Sequence, residues 1–146
     1  MKTDPGRVLA IDPGEKRLGI AVSDPTRTIA APLCVINHKS RKEDALAIIN
    51  LAKEQEATLI LIGQPRNWDD DLGAQAEKSS RLADEIQTLG QIPVQLWNEY
   101  GSTQAAQSAR RQMNVSRKKR TGHLDDLAAA IILQNFLDST IDEEYL

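Results

Sequence analysis

Three carboxylates in this sequence are placed where they could act together. Asp12 ends the short apolar run 8–11, Glu99 follows the run 94–97 by two residues, and Asp125 lies in the first turn of an apolar segment near the C-terminus. Ligands of open α/β sheets gather at the carboxyl ends of parallel strands. If the two runs are strands and the last segment is a helix, the three acids can face one small volume.

Three carboxylates in one small volume need a positive partner. Two unit charges about 4 Å apart repel by roughly 4 kcal/mol at an effective dielectric constant near 20, so three such pairs cost roughly 12 kcal/mol. Protonation relieves part of this repulsion, but hard carboxylate oxygens also suit Mg²⁺ or Mn²⁺. Two such ions roughly 3.5–4 Å apart form the usual clamp for in-line displacement at a phosphodiester. The chemistry indicated is metal-dependent phosphodiester hydrolysis.

Each acid also has a simpler structural interpretation. Asp12 precedes a Pro-Gly pair and could be a turn former, and Glu99 could be an exposed loop acid. Asp125 could merely interact with the dipole of its helix, and its neighbour Asp126 is an equal candidate by spacing alone. The helical position of Asp125 shares a face with Ala129, and small alanines would let the helix approach a sheet closely.

Other chemistry-bearing residues carry weaker indications. His123 precedes the final helix and could act on a proton, although a structural role is commoner for such a histidine. His38 has no context that indicates a function. The acidic run 69–71 is typical of a solvated turn, and Trp68 could stack on a base or pack within its loop.

Charge is distributed unevenly along the chain. The net charge is −3, but residues 100–124 contain no acid and six bases. Outside those six residues, the chain has 12 basic and 21 acidic residues. Such a basic segment on an acidic protein indicates a local anionic partner or a solvated face. The six residues are Arg110, Arg111, Arg117, Lys118, Lys119 and Arg120.

The hydrophobic pattern predicts the elements that must position these residues. Apolar runs bounded by turn residues predict strands over 7–12, 18–23, 28–36, 58–63 and 94–97. Helical periodicity predicts helices over 41–55, 73–89, 102–113 and 124–137, the last apolar nearly all round. The block 114–122 is predicted to be a basic loop, and the acidic tail after Asp138 to be frayed.

Connection lengths predict how these elements assemble. Short links make the first three strands an antiparallel meander, with Pro32 in an edge strand or a bulge. Helix-then-strand alternation after the meander predicts parallel strands. The prediction is an α/β fold: a five-stranded mixed sheet flanked by helices.

Length and composition bound the remaining possibilities. The 146 residues predict one domain over 1–146, with its core at about 7–138. The single cysteine, Cys34, excludes a disulfide within the chain. We expect no membrane span and no signal peptide, and therefore a cytoplasmic protein. The low aromatic content of 3 % disfavours a stacking platform for single strands and favours a structured nucleic acid.

Four motifs, taken together, resemble one family. The segment I-D-P-G-E-K-R-L-G-I-A-V-S-D at 11–24 is similar to the opening motif of the YqgF/RuvX family of pre-16S rRNA nucleases, relatives of the RuvC Holliday junction resolvases. The later motifs follow in the same order at 59–67 (L-I-L-I-G-Q-P-R-N), 97–103 (W-N-E-Y-G-S-T) and 116–134 (S-R-K-K-R-T-G-H-L-D-D-L-A-A-A-I-I-L-Q). The resemblance covers roughly residues 7–138.

The resemblance implies an RNase H-like fold and a nuclease that matures the 5′ end of the small-subunit ribosomal RNA in ribosome biogenesis. It implies that Asp12, Glu99 and Asp125 are the catalytic residues and hold Mg²⁺ or Mn²⁺. Asp125, rather than Asp126, matches the family because it immediately precedes the x-L-A-A stretch. We expect Lys16, Arg17 and the six residues of the basic segment to contact structured RNA or branched DNA. The sequence leaves open whether the protein is a monomer or a weak homodimer.

This sequence departs from the family pattern at three places. Asn98-Glu99-Tyr100 stands where members usually carry D-E-R, so a cation that could contact phosphate is absent. Gln64 replaces an apolar residue of the G-L-P-x-N motif, and Gly122 stands where RuvC resolvases carry a fourth acid. The last departure argues against full resolvase chemistry.

Three rival functions stay open at this point. One is a Holliday junction resolvase that acts on DNA, and another is a nucleic-acid-binding module without catalysis. The third is a phosphate-binding ATPase, because I-D-x-G-x-x-x-x-G also resembles the strand-turn of actin-like ATPases and sugar kinases. Those proteins repeat the unit in a second domain, for which 146 residues leave no room.

Overall fold

The computed structural model describes residues 4–64, 74–98 and 125–144. Within them the chain forms five strands and three helices. The strands are β1 (Arg7–Pro13), β2 (Arg17–Ser23), β3 (Ala30–Asn37), β4 (Ala57–Gln64) and β5 (Val94–Asn98). The helices are α1 (Arg41–Glu54), α2 (Ala74–Leu89) and α3 (Asp125–Glu144).

The predicted elements that fall in the described ranges are confirmed in type and order. The predicted helix over 102–113 and the predicted loop over 114–122 lie outside the described residues. One prediction was wrong: α3 does not end near 137 with a frayed tail but continues to Glu144. No Gly or Pro interrupts this stretch, and Ser139 and Thr140 donate hydroxyl hydrogen bonds to carbonyls three residues back, at 2.7 and 2.8 Å.

The sheet is mixed, with the strand order β3-β2-β1-β4-β5. β1 pairs antiparallel with β2, and β2 with β3, which confirms the predicted meander. β4 pairs parallel with β1, and β5 with β4. The carboxyl ends of β1, β4 and β5 therefore lie at one edge of the sheet.

The edge strand β3 is irregular where the sequence predicts it to be. Ile20 of β2 pairs with Cys34, but the next residue, Ala21, pairs with Pro32, so Leu33 is an extra residue in β3. This bulge and the proline fit an edge strand, because proline cannot donate a ladder hydrogen bond.

The sheet is covered on both faces. Leu9 and Ile11 of β1 are fully buried in a core with α1 and α2. Val8 and Ala10, which alternate with them, are fully buried against α3. Full burial of a Val, Leu or Ile side chain stabilises the fold by roughly 1.5–3 kcal/mol. Since side chains alternate along a strand, the next position on the α3 face is Asp12.

The start of α1 is fixed by a local hydrogen bond. Ser40 caps α1, where its Oγ accepts from the backbone N–H of Glu43 at 3.1 Å. The predicted apolar stripe of α1 is confirmed, since Ala45, Ile48 and Ala52 are fully buried. Among the helices of the described ranges, none combines the length and the apolarity needed to cross a bilayer.

Candidate active site

Asp12 lies at the carboxyl end of β1, half-buried, on the face that α3 covers. Its cross-strand partner in β2 is Gly19. On the other side, Ile11 pairs with Ile62, so the next residue of β4, Gly63, is the neighbour of Asp12. Neither glycine adds a side chain beside the carboxylate. The position therefore suits hard-oxygen ligation of a divalent cation, which needs room for several ligands around one carboxylate.

The turn that follows Asp12 is tight. The backbone N–H of Gly14 donates to the carbonyl of Arg17 at 3.0 Å. A Cβ at Gly14 would lie 2.6 Å from that carbonyl oxygen, which is a clash with backbone rather than with a movable side chain. The turn presents Lys16 as an exposed residue, and Arg17 begins β2 half-buried. Both predicted phosphate-contacting residues therefore lie at the same end of β1 as Asp12.

The end of β5 is held against α3. Trp97 pairs with Gly63 and Asn98 with Gln64, so β4 and β5 end at the same level. The Trp97 ring contacts Phe136 of α3 edge to face, with ring centroids 5.4 Å apart at 82°. This contact holds the end of β5 against the α3 face of the sheet. Glu99 itself lies outside the described residues.

Asp125 is the first residue of α3, and its side chain is not among those described. One turn later, Ala129 is fully buried against the sheet, as the small-residue pattern predicts. Further along, the Gln134 amide accepts from the backbone N–H of Ala30 at 2.9 Å and donates to the carbonyl of Thr28 at 3.0 Å. These bonds fix the middle of α3 at the start of β3.

The charge of Asp126 acts on a side chain of the edge strand. Burial raises the pKa of the Cys34 thiol, and the negative charges of Asp126 and Glu54 raise it further. Cys34 belongs to β3, two strands away from β1. The side chain of Asp126 is therefore within electrostatic reach of β3.

Gln64, a departure from the family pattern, has a structural role. It is 7 % exposed at the end of β4. Its Nε2 donates to the carbonyl of Ala76 at 3.3 Å and to Ser80 Oγ at 2.9 Å. An apolar residue at this position could not make these contacts. The glutamine therefore holds the first turns of α2 against the strand end.

A histidine–aspartate pair near the turn was missed by the sequence analysis. His38 Nδ1 contacts the Asp44 carboxylate, and Asp44 Oδ1 accepts from the backbone N–H of Lys39 at 3.0 Å. The backbone N–H of His38 donates to the carbonyl of Lys16 at 2.9 Å. Asp44 is 4 % exposed. No spacing rule indicates this pair, because it spans the start of α1 and depends on the loop conformation before it.

Several predicted site residues fall outside the described ranges. They are Glu99, His123, Trp68, the acidic run 69–71 and the six residues of the basic segment. Within residues 4–64, 74–98 and 125–144, no group of three or more His, Cys, Asp or Glu side chains is arranged to hold a metal ion. The predicted set includes Glu99 and the Asp125 side chain, so the three-carboxylate site stays a prediction.

A protein-family model described as "RuvX: Holliday junction resolvase" matches residues 6–139. This chain belongs to the RuvX family. A RuvX relative from Roseiflexus sp. (strain RS-1), named "Putative pre-16S rRNA nuclease", is 37 % identical over 139 residues, covering 95 % of this chain and 99 % of the relative. A protein of the same name from Halothermothrix orenii is 39 % identical over 132 residues, covering 90 % and 94 %. The predicted family is confirmed.

Solved structures of related fold agree with the observed architecture. Thermus thermophilus RuvC in complex with a Holliday junction substrate matches with a TM-score of 0.59 at 15 % identity, covering 92 % of this chain and 95 % of RuvC. The fowlpox virus Holliday junction resolvase matches with a TM-score of 0.52 at 15 % identity, covering 91 % and 99 %. The predicted RNase H-like fold is confirmed, and RuvX membership confirms the prediction of a hydrolase of the nuclease class.

Proposed function

We propose that this RuvX protein is a metal-dependent endonuclease that cuts structured nucleic acid in the cytoplasm, and that its main substrate is the 5′ end of pre-16S rRNA. The observation that carries the proposal is the position of Asp12, a strand-end carboxylate flanked by two glycines, in a chain whose relatives are named for this activity. A turn former would not need the side-chain-free neighbours in β2 and β4.

Glu99 is proposed as the second carboxylate of the site. Trp97 packs on the α3 face of the sheet. Side chains alternate along an extended chain, so a continuation of β5 by one residue would place position 99 on the same face as Trp97. Asp12 is also on that face, and it neighbours Gly63, the partner of Trp97. This register supports a short separation between the two acids.

Asp125 is proposed as the third carboxylate. Gln134 anchors α3 beside Ala30, which pairs with Ser23 of β2. From Gln134 back to Asp125, nine residues of helix extend about 13.5 Å along the helix axis. From Ser23 back to Gly19, four residues of β2 extend about 13 Å along the strand. The matching lengths support a helix start level with Gly19, the partner of Asp12.

The proposed division of labour follows from these positions. Asp12, Glu99 and Asp125 hold Mg²⁺ or Mn²⁺, which when bound supplies an activated water and offsets charge on the scissile phosphate. Lys16 and Arg17 bind the substrate backbone next to the site. The basic segment adds affinity that does not depend on nucleotide sequence.

Cleavage assays test the function directly. A pre-16S rRNA fragment and a synthetic four-way DNA junction would each be incubated with Mg²⁺ or Mn²⁺ and wild-type protein, the Asp12→Asn variant or the Asp84→Asn variant. Asp84 is an exposed acid on α2 and serves as the matched control. We expect cleavage of the rRNA fragment by wild type and Asp84→Asn, and none by Asp12→Asn, because the amide cannot replace the anionic ligand.

The same assay separates the rival functions. Cleavage of the DNA junction alone would replace the rRNA proposal with the resolvase function, which the fold similarity to RuvC supports. Binding of either nucleic acid without metal-dependent cleavage would indicate a non-catalytic module. Full cleavage by Asp12→Asn would refute the assignment of this carboxylate.

A further inference from the structure

A cleft of about 280 Å³ lies on the α1/α2 face of the sheet, at the same end of β1 as Asp12. It is bounded by the β1–β2 turn, the start of α1 and the first half of α2. Three of its lining residues are basic: Arg41, Lys78 and Arg81. None of them is assigned a role by the carboxylate site.

The acids near the cleft do not cancel this charge. Asp44 is buried, and its two oxygens already bind the Lys39 N–H and His38. Glu15, the other acid of the lining, is a single exposed side chain on the turn. The ion pair of Arg81 with Glu77, at 3.8 Å, joins side chains that are both more than 60 % exposed, and such pairs hold little energy. Among the charged groups of the lining, the cations therefore outweigh the acids that are free to oppose them.

We propose that this cleft binds a backbone phosphate of the nucleic acid, on the opposite side of the β1 end from Asp12; the proposal rests on the nuclease function proposed above. Pro13 and Gly14 line the cleft, and Asp12 directly precedes them on the α3 face. A strand that crosses the end of β1 can contact both places. The cleft thus holds the substrate away from the cut and sets its direction across the sheet.

The lining chemistry favours a phosphate over a base. Arginine offers paired donors that match two phosphate oxygens, and lysine adds a compact charge. The lining residues include no Phe, Tyr or Trp on which a base could stack. The apolar part of the lining includes the side chains of Leu18 and Leu82. Contacts of this kind fix position on the backbone without reading nucleotide sequence.

The cleft is formed before any ligand arrives. The hydrogen bond from the His38 N–H to the Lys16 carbonyl ties the β1–β2 turn to the segment before α1. The contact between His38 and Asp44 ties that segment to α1 itself. A preformed site binds without the entropic cost of ordering its walls.

A binding measurement tests the proposal. Fluorescence anisotropy with a labelled pre-16S rRNA fragment, in EDTA to prevent metal-dependent cleavage, would be run over a series of KCl concentrations from about 50 to about 200 mM. The test variant is Arg41→Gln with Lys78→Gln. The control is Lys42→Gln with Lys53→Gln, which removes the same charge from exposed positions of α1 that do not line the cleft. Thermal melts would verify that both variants are folded.

We expect the test variant to bind about tenfold more weakly and the control within about twofold of wild type. Each phosphate that the variant no longer binds should make the slope of log K against log salt less negative by about 0.7–0.9. If both variants bound the RNA fragment equally weakly, the loss would come from general surface charge rather than from the cleft, and the proposal would be wrong. Unchanged binding by the test variant would overturn it as well.

A second titration distinguishes backbone phosphate from a free nucleotide. We expect uridine 5′-monophosphate to compete with the rRNA fragment only weakly. If the mononucleotide binds wild type tightly, and the test variant loses that binding but keeps its affinity for RNA, the cleft is a nucleotide site and the proposal is wrong.

Failure of the cleft and failure of the nuclease function give different results. A wild-type protein that binds RNA through the cleft but cleaves neither substrate would refute the nuclease function alone. A wild-type protein that cleaves in Mg²⁺, with unchanged binding in the test variant, would refute the cleft alone.

Discussion

Single residues at the ends of strands are the ones we propose to carry the chemistry of this protein. Asp12 has glycines beside it in both neighbouring strands, so neither neighbour adds a side chain next to its carboxylate. Asp24, at the other end of the β1–β2 hairpin, is held by the backbone of its own turn. Its carboxylate accepts from the backbone N–H of Ile29 at 2.8 Å and of Thr28 at 2.7 Å. Both aspartates precede a proline, so the difference between them lies in the groups that surround each carboxylate.

The hydrogen bonds to Asp24 predict a specific acid sensitivity. The Ile29 N–H first, and then the Thr26 hydroxyl, lower the pKa of Asp24 from 3.8 to about 2. Because the pKa is lower in the folded protein, the carboxylate stabilises the fold above about pH 4, and this contribution is lost as the pH falls toward about 2. We expect Asp24→Asn to be less stable than wild type near neutral pH, with the difference shrinking as the pH falls through this window.

Urea unfolding across this pH range measures the effect, with Asp84→Asn as the control. A difference between wild type and Asp24→Asn that stays constant from neutral pH to the bottom of the window would contradict the assigned pKa. The segment 24–26 forms a turn, in which the Thr26 N–H donates to Asp24 Oδ2 at 3.3 Å.

At the scale of elements, two connections decide where the site residues lie. The β1–β2 turn sets Lys16 and Arg17 beside Asp12, and the anchor of α3 sets the level of Asp125. Both connections use hydrogen bonds to backbone groups, one from a backbone N–H in the turn and the others with the Gln134 side chain, and such bonds have strict geometry. Errors at either place would move a proposed metal ligand or a proposed phosphate-binding side chain away from the proposed site.

Replacement of Gly14 should disturb the turn. A Cβ 2.6 Å from the Arg17 carbonyl oxygen forces the backbone to shift. We expect Gly14→Ala to lower the free energy of unfolding by roughly 1–3 kcal/mol and to reduce cleavage more than it reduces RNA binding. Asp84→Asn, on the exposed face of α2 and outside both the turn and the cleft, is the control for both assays. Wild-type activity in Gly14→Ala would show that the turn does not position the site.

Replacement of Gln134 should loosen α3. Gln134→Met keeps the side-chain length and removes the bonds to Ala30 and Thr28. With a net value of about 0.5–1.5 kcal/mol for each bond, we expect a loss of about 1–3 kcal/mol in urea unfolding. Asn135→Ala, at the next position, is the control. An unchanged stability would mean that helix packing alone holds α3 in place.

At the scale of the whole molecule, charge is separated along the chain. The six bases of residues 100–124 stand against an otherwise acidic protein, and the cleft adds basic side chains close to Asp12. Local positive charge attracts a polyanion even when the net charge is negative. The acidic remainder limits binding elsewhere on the surface.

The basic segment should supply affinity without sequence preference. We expect a variant with Gln at positions 117–120 to bind two RNAs of unrelated sequence more weakly by the same factor. Its salt slope should become less negative by about 0.7–0.9 for each phosphate that is no longer bound. Anisotropy titrations against KCl measure both quantities. Weaker binding to one of the two RNAs only would indicate base recognition instead.

The sequence alone determined most of the fold. Buried strands are short apolar runs and helices repeat about every 3.6 residues, so the element types follow from local pattern. The strand end at Asp12 and the edge position of Pro32 were predicted in this way and are confirmed in the structure. The end of α3 was predicted wrongly, because an acidic stretch without Gly or Pro can continue a helix that is already formed.

Tertiary structure alone decided the contacts between distant parts of the chain. The bond from Gln134 to Ala30 joins residues 104 positions apart, and the contact of His38 with Asp44 depends on a loop conformation. The basic cleft joins a turn and two helices that no periodicity relates. Local pattern encodes which face of an element is apolar, but the register of strands and the placement of helices decide which side chains meet. For that reason the sequence could name Asp12, while the structure was needed to show the glycines beside it.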